Sequence, residues 1–373
     1  MAQTAYIHIP FCAHKCDFCD FAAFAGVDDL TEEYCSTVVR EIGERVSIEP
    51  NENVLTSVFY GGGTPGYIEP AQLSSIHDRL KQAVGFDSDA EITMETTPHS
   101  ITVDKAKAWR EIGINRISVG VQSFNDAELK AMGRDHTAAQ ALKGIDIVQQ
   151  AGFENVALDL MYGLPEQTLE SWSQTLKTAL SLKLPHMSAY GLTIANNSPL
   201  LSRYPFESAS YPNEENFVGM YEMLISECLQ AGLNQYEISN FAHPGFESKH
   251  NLTYWANEEY LGFGVSAHRY VNGIRSSNFR SLKRYMRDFL ANETFERIDE
   301  KTRAKEAIFL GLRLRRGINL DEFHRKYGFD IQQLLATKIQ RLSEGGFLTV
   351  EGGWLKLSQA GILVSNLVIS ELV

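Results

Sequence analysis

Along the first part of the chain, short apolar runs alternate with longer amphipathic stretches. The runs 4–9 (TAYIHI), 54–60 (VLTSVFY), 90–95 (AEITME), 116–121 (RISVGV), 155–161 (NVALDLM) and 187–193 (MSAYGLT) read as strands, and the segments near 30–48, 70–83, 102–112, 137–150 and 168–182 read as helices. Thr168 stands before an apolar stripe of Leu169, Trp172, Leu176 and Leu180, and Pro70 opens its segment where a first helical turn tolerates proline. Strand and helix units in series predict a parallel sheet, because parallel neighbours need long crossovers. The sheet is either open and doubly wound or part of a (β/α) barrel. The residues at the strand ends, described below, favour a partial parallel (β/α) barrel.

From about 195 to 290 the pattern loosens, with one helix expected near 214–231. A second pattern begins near 300: helical runs at 300–314, 320–327 and 331–344, a glycine-turned hairpin across 345–357, and a last helix over 358–372. This predicts a barrel with its extension over 1–290 and a small C-terminal α+β, winged-helix-like module over 291–373. At 373 residues the chain is long for one average domain, which agrees with that division.

Charge narrows the partners. Lys plus Arg total 34 against 47 Asp plus Glu, a net charge of -13. No broad nucleic-acid footprint is expected, and the C-terminal module is expected to pack or dock rather than read DNA. No window approaches the ~18 apolar residues of a membrane helix. The Met-Ala-Gln-Thr start lacks the basic and apolar segments of a secretion signal, so the expected location is cytoplasmic.

The cysteines carry the strongest signal. Of 5, Cys12, Cys16 and Cys19 crowd together after the first strand, while Cys35 and Cys228 stand alone on helical segments as small buried residues. An odd count without a secretion signal points to a metal or cluster site rather than a disulfide framework. Three cysteines can hold a four-iron cluster with one iron open; with His8 or His14 they could instead close a zinc site. The open-iron reading calls for further residues to grip a ligand, and the strand ends offer them. The second strand runs into Tyr60-Gly61-Gly62-Gly63-Thr64-Pro65, where glycines let a ligand approach the backbone. Glu95 ends the third, Gln122 the fourth with Arg134 beyond it, and Asp159 lies in the fifth. Barrel active sites are assembled at these ends.

The C-x3-C-x2-C loop, with Phe18 before its last cysteine, resembles the signature of the radical S-adenosylmethionine (SAM) superfamily. Tyr-Ile-His-Ile-Pro-Phe-Cys, Gly-Gly-Gly-Thr-Pro, Gly-Val-Gln-Ser-Phe and Asp-Leu-Met-Tyr-Gly-Leu-Pro together are similar to its oxygen-independent coproporphyrinogen oxidase-like branch, closely over residues 4–270. The resemblance implies that Cys12, Cys16 and Cys19 bind a [4Fe-4S] cluster. It implies that Tyr6, Gly62, Gly63, Thr64 and Glu95 contact SAM, with Phe18, Gln122, Arg134 and Asp159 at further SAM positions. Glu95-Thr-Thr-Pro98 departs from the Glu-x-Asn-Pro usual in the branch.

Two features separate oxidase from chaperone. The oxidases carry a further cysteine two residues after the third, where this chain has Phe21. His250-Asn251-Leu-Thr-Tyr254-Trp255 matches the H-N-x-x-Y-W motif of the branch's haem chaperones. Imidazole is a good axial ligand for haem iron, and Tyr254 and Trp255 offer flat apolar area for a porphyrin face. The resemblance therefore implies a haem chaperone with His250, Asn251, Tyr254 and Trp255 at the haem, the flanking segments 236–243 and 260–268 shaping the same mouth. It further implies haem-accepting respiratory proteins as partners, and allows a homodimer and peripheral membrane association. The competing expectation is a catalytic radical SAM enzyme, such as a two-SAM methyltransferase.

Overall fold

The computed structural model describes residues 2–51, 53–196 and 198–373. Its main sheet is built from Thr4–Ile9 (β1), Leu55–Gly62 (β2), Phe86–Thr96 (β3), Arg116–Gln122 (β4), Asn155–Tyr162 (β5), His186–Gly191 (β6), Asn234–Glu237 (β7), Asn240–Ala242 (β8) and Leu261–Phe263 (β9). The order is β7-β8-β6-β5-β4-β3-β2-β1-β9. β1 through β6 are parallel and consecutive, so the order never reverses as it does in a doubly wound sheet. Right-handed crossovers then put the helices that connect these strands on one face, the arrangement of a barrel. The ring stays open, with β7 and β9 as its edges.

The helices are Thr31–Ile48 (α1), Pro70–Val84 (α2), Val103–Ile112 (α3), Asp126–Ala131 (α4), Ala138–Gln150 (α5), Leu169–Ser181 (α6), Pro199–Arg203 (α7), Glu214–Gln230 (α8) and Lys249–Trp255 (α9). Their starts follow the sequence cues: Thr137 and Thr168 close capping boxes, as does Glu69 ahead of Pro70. α1 packs on α2, α2 on α3, α3 on α5 and α6 on α8. Trp172 of α6 is buried and donates its ring N–H to Met220 O at 2.9 Å, locking α6 to α8.

Each parallel strand alternates. Ile7, Val58, Tyr60, Ile92, Met94, Ile117, Val119, Val156, Leu158 and Met187 are buried in the layer shared with the helices. The residues between them, Tyr6, His8, Ser57, Glu91, Thr93, Glu95, Arg116, Ser118, Asp159, His186 and Ser188, point to the opposite, inner face. Ordinary closed barrels fill that interior with branched apolar side chains. Here it is polar.

After β9 the chain forms a second sheet from His268–Val271 (β10), Ile274–Ser277 (β11) and Thr294–Arg297 (β12), with Leu282–Arg287 (α10) inserted. The sequence pattern starts the C-terminal module at 291, yet β12 hydrogen-bonds to β11 and packs with the preceding sheet. The module then runs through Glu300–Gly311 (α11), Ile318–Asn319 (β13), Leu320–Tyr327 (α12), Ile331–Leu334 (α13), Ala336–Glu344 (α14), Leu348–Glu351 (β14), Trp354–Leu357 (β15), Gln359–Leu363 (α15) and Ser365–Leu372 (α16). The runs expected as single helices over 331–344 and 358–372 are broken at Leu335 and Val364. The helix expected over 300–314 ends at Gly311, because the following residues turn to cover the β7 edge: Leu314 bridges to Glu237 and Arg315 N donates to Tyr236 O at 3.0 Å.

A buried carboxylate ties α1 to the end of β9 and to α10. Glu41, 0% exposed, accepts from Arg45 Nε (2.7 Å), Asn278 Nδ2 (2.7 Å), Gly264 N (2.8 Å) and the Tyr285 hydroxyl (2.6 Å). Replacing Glu41 by alanine strands these donors and the buried Arg45 charge. A loss of about 3–5 kcal/mol is expected in chemical denaturation; a loss below ~1 kcal/mol would show the network to be dispensable.

Candidate functional site

Behind β1 the chain leaves the sheet as a loop carrying Cys12, Cys16 and Cys19. Phe24 N donates to Pro10 O (2.7 Å) and Cys12 N to Phe24 O (3.0 Å), closing its neck. Its far side is fixed from two directions, with Asp17 N donating to Met132 O at 3.1 Å and Leu200 N to Asp17 O at 3.0 Å. His8 holds the return of the loop. Its Nε2 sits 2.9 Å from Ala22 O, which can only accept, so Nε2 carries the proton and Nδ1 accepts from the Tyr6 hydroxyl at 3.0 Å. Burial pushes this imidazole down to about 4, so the neutral form the geometry requires is the form present.

Cys12 is buried, with Sγ 3.5 Å from Thr64 Oγ1. Burial pushes its thiol up to about 11 and also raises Cys19. A bound cation reverses that sign, since a coordinating thiol is deprotonated outright. The three thiols lie on this one loop, close enough for Cys16 and Cys19 each to bear electrostatically on Cys12. That arrangement suits a multi-iron cluster, whose irons take one thiolate each.

Gly62 and Gly63, at the end of β2, lie directly under this loop. Gly62 has φ +116°, and a side chain there would meet the His8 ring at 2.6 Å. A Cβ on Gly63 would meet Pro10 C at 2.7 Å and Phe11 O at 2.8 Å, the backbone that leads into Cys12. Gly63 N and Thr64 N donate to Ile9 O (2.8 Å) and Phe11 O (2.9 Å), so the glycine segment carries the loop as well as leaving space.

Glu95, on the inner face of β3, accepts from Gly62 N at 3.1 Å. Burial, then the charge of Asp159, pushes its carboxyl up to about 7. Asp159 is raised too, first by burial, against hydrogen bonds from Ser188 and Ser118; Ser118 Oγ lies 3.1 Å from both its oxygens. Two carboxyls whose ionised forms are penalised make a site that a cationic ligand would stabilise.

β4 ends in a bulge opposite Leu160, where Gln122 adopts φ +72°, a strained conformation for a residue with a side chain. Arg134 reaches back to this bulge. It donates to Gly120 O at 2.6 Å and to Cys16 Sγ at 3.0 Å, and its Nε is buried without a partner. Phe18 packs beside the small cluster of Leu129, Met132, Met161 and Leu164. The structure thus brings Cys12, Cys16, Cys19, Gly62, Gly63, Thr64, Glu95, Gln122, Arg134 and Asp159 to the C-terminal ends of the strands, with Tyr6 below them.

His250, Asn251, Tyr254 and Trp255 lie elsewhere, on α9, against the start of β2. His250 is 1% exposed and stacks on Phe59 at 4.9 Å, with Tyr6 6.3 Å away. Ser57 donates to Thr4 and so receives the His250 Nδ1 proton at 3.4 Å, leaving Nε2 to accept from the Tyr254 hydroxyl at 2.9 Å. Helical spacing divides the quartet. His250 and Tyr254 turn into the barrel floor, whereas Trp255 faces the C-terminal module, 4.7 Å under Arg313, with its ring N–H buried and unpartnered. Asn251 takes the Ser248 cap on its backbone N–H. α9 lies across the N-terminal ends of the strands because Thr253 bonds Thr4 at 3.1 Å and Lys249 bonds Asp89 O at 3.0 Å, and the flanking segments meet it through Tyr236, whose hydroxyl accepts from Ser248 N, and Tyr260, 4.7 Å from Tyr254. Sequence reasoning also passed over Arg116 and Ser118, whose signal was their period-2 spacing with Gly120 on β4, and Ser188, which only the pairing of β6 with β5 brings beside Asp159.

An open barrel of singly wound strands, with a three-cysteine loop over its glycine-lined rim, defines a radical SAM-type protein. The Radical SAM superfamily model matches residues 6–179, and the HemN C-terminal domain model residues 298–364. The chain is 36% identical over 370 residues to "Heme chaperone HemW" of Bacillus subtilis, covering 98% of this chain and 97% of that protein. It is 34% identical to the Lactococcus lactis protein of the same name over 98% and 95% of the two chains, and 30% identical to the bovine mitochondrial "Radical S-adenosyl methionine domain-containing protein 1" over 96% and 84%. The fold matches coproporphyrinogen III oxidase (HemN) of Escherichia coli with a TM-score of 0.87 at 22% identity, covering 100% of this chain and 90% of that one. The chain belongs to the HemW family of the radical SAM superfamily.

Gly63→Ala should push Pro10 and Phe11 away and displace Cys12. After anaerobic reconstitution, its iron and sulfide content should fall to a small fraction of the parent's while the far-ultraviolet spectrum is unchanged. Full cluster loading would show that the loop does not depend on this contact.

Proposed function

We propose that this protein is a haem chaperone on a radical SAM scaffold: a cytoplasmic carrier that binds a [4Fe-4S] cluster, SAM and haem, and passes haem to acceptor proteins such as respiratory enzymes. The observation that carries this reading is the match to relatives named heme chaperones along 98% of the chain. No helix among the described residues is long and apolar enough to cross a membrane. Contact with membrane acceptors would therefore be peripheral, and action as a homodimer belongs to the same proposal.

In this reading Cys12, Cys16 and Cys19 hold the cluster, which when bound supplies an electron and an open iron for SAM. The chain's own residues do the positioning. Thr64 and Arg134 flank the cysteine sulfurs, Gly62 and Gly63 let the cysteine loop and the His8 ring close onto the rim where SAM would contact them, and Glu95 and Asp159 offer anionic groups to the cationic SAM. Tyr6, Phe18 and Gln122 complete its surroundings. SAM should prefer ionised Glu95, which loses its charge as pH falls through about 7. SAM affinity is therefore expected to weaken by about tenfold per pH unit below that value, measured by titration with cluster absorbance as control. A flat profile from pH 8 to 6 would remove Glu95 from the SAM contact.

His250 is proposed as the haem ligand, with Asn251, Tyr254 and Trp255 around it. Burial pushes the imidazole down to about 3, so the ring is neutral as a metal requires. Its Nε2 lone pair is committed to Tyr254 and the ring is sealed, so haem entry must part α9 from β2. In anaerobic titration, His250→Ala should lose saturable haem binding while keeping its cluster. Undiminished haem affinity in that variant would move the ligand elsewhere, and no binding in the parent would end the chaperone reading.

The grouping of Gln122, Arg134 and Asp159 also favours a second reading, a catalytic enzyme using two SAM molecules. Phe21, 67% exposed at the position of the oxidases' further cysteine, speaks against porphyrinogen decarboxylation. Methylated product in a substrate screen would establish the catalytic alternative.

A further inference from the structure

β1 and β6 stand at opposite ends of the run of parallel strands. In a singly wound parallel sheet the loops that follow them leave the same end of the barrel, and here they meet. Asp17 lies between Cys16 and Cys19. Its carbonyl accepts from Leu200 N of α7 at 3.0 Å, and its N–H donates to Met132 O, just past α4, at 3.1 Å. The segments that follow β1, β4 and β6 are thus fastened to one another at a single residue.

Side chains complete the tie. Arg203, the last residue of α7, donates through Nη2 to the Asp17 carboxylate and to Ala131 O, the latter at 2.7 Å. A side chain on Gly133 would collide with the same carboxylate, so the turn after α4 closes round it. Asp17 is 22% and Arg203 44% exposed, and an ion pair so placed adds little to global stability. Its position gives it a local use. The loop between Pro10 and Phe24 is closed at its neck by backbone bonds, and Asp17 secures its far side against local opening. Asp17 is also next to Cys16, whose Sγ accepts from Arg134 at 3.0 Å. The other charges on the loop are engaged elsewhere: Lys15 bonds Phe21 O, and Asp20 lies 3.5 Å from Arg280. Arg203 is therefore the counter-charge of the carboxylate set between the two cysteines.

We propose that Arg203 is a positioning residue for the cluster: through Asp17 it holds Cys16 and Cys19 at the rim and balances the charge beside their sulfurs. The proposal rests on the cluster part of the haem-chaperone reading. It adds that retention of the cluster depends on α7, a helix the chain reaches only after β6.

The test uses the full-length protein after anaerobic cluster reconstitution, with Arg203→Ala, Arg203→Lys and Asp17→Asn. Release of iron to a coloured chelator, the midpoint potential of the cluster and thermal unfolding are measured for each. Arg203→Ala should release iron about fivefold to tenfold faster than the parent at an unchanged unfolding temperature. Its midpoint should move to more negative potential, because an unpaired carboxylate opposes the incoming electron. Asp17→Asn should also hasten release but move the midpoint the other way. Arg203→Lys should restore the potential and part of the retention. If Arg203→Ala takes up no iron while the parent does, the potentials of Arg203→Lys and Asp17→Asn decide. Parent-like release and potential in Arg203→Ala would overturn the proposal. Faster release with a lowered unfolding temperature and an unmoved potential would also overturn it, making Arg203 a structural residue. A parent that takes up no cluster would end the cluster reading, and the proposal with it.

Discussion

Period-2 alternation on a sheet covered from one side is the constraint from which the rest of this structure follows. Six parallel strands wound in one direction place their crossover helices on one face. The helices take Ile7, Val58, Ile92, Ile117, Val156 and Met187, and burial of that layer stabilises the fold. The opposite face is released from packing and carries Glu95, Arg116, Ser118, Asp159 and Ser188. A barrel whose interior is polar has no packed plug, so it depends on hydrogen bonds and ligands to satisfy what it encloses.

The same alternation sets two levels in one interior. At the rim, strand ends deliver Gly62, Gly63, Gln122 and the cysteine loop, and backbone geometry dominates: positive φ, a bulge, a loop neck closed by Phe24. Deeper, where the strands begin, the residues are ionisable and their environments are dry. Tyr6 joins the levels, bonded upward to His8, which secures the loop, and stacked on Phe59, which packs His250. From His250 of α9 the contacts run to the cysteine loop through the rings of Phe59, Tyr6 and His8 and two hydrogen bonds, Tyr6 to His8 and His8 to Ala22 O.

The C-terminal module is bound into this arrangement rather than appended to it. Residues 312–316 cover the β7 edge, α11 packs on α9, and Arg313 lies over Trp255. The helix with the candidate haem residues is thus held between the barrel floor and the module, so any opening there moves the module too.

The sequence by itself determined the strand-and-helix series, the cysteine loop, the glycine rim and the motif at 250–255, because these depend on local spacing: a period of 2 or 3.6, a C-x3-C-x2-C interval, a run of glycines. Even the placement of Glu95, Gln122 and Asp159 at one rim was legible, since a parallel sheet brings all strand ends together. The tertiary structure alone decided what those spacings could not encode. It put α9 at the opposite end of the barrel, because side chains far apart in sequence, Thr4 with Thr253 and Ser57 with His250, fix it there. It also showed that Arg116, an ordinary charge at the head of a strand in the sequence, is buried within electrostatic reach of Glu95 and Asp159, for burial and pairing belong to the assembled interior and to no segment of the chain.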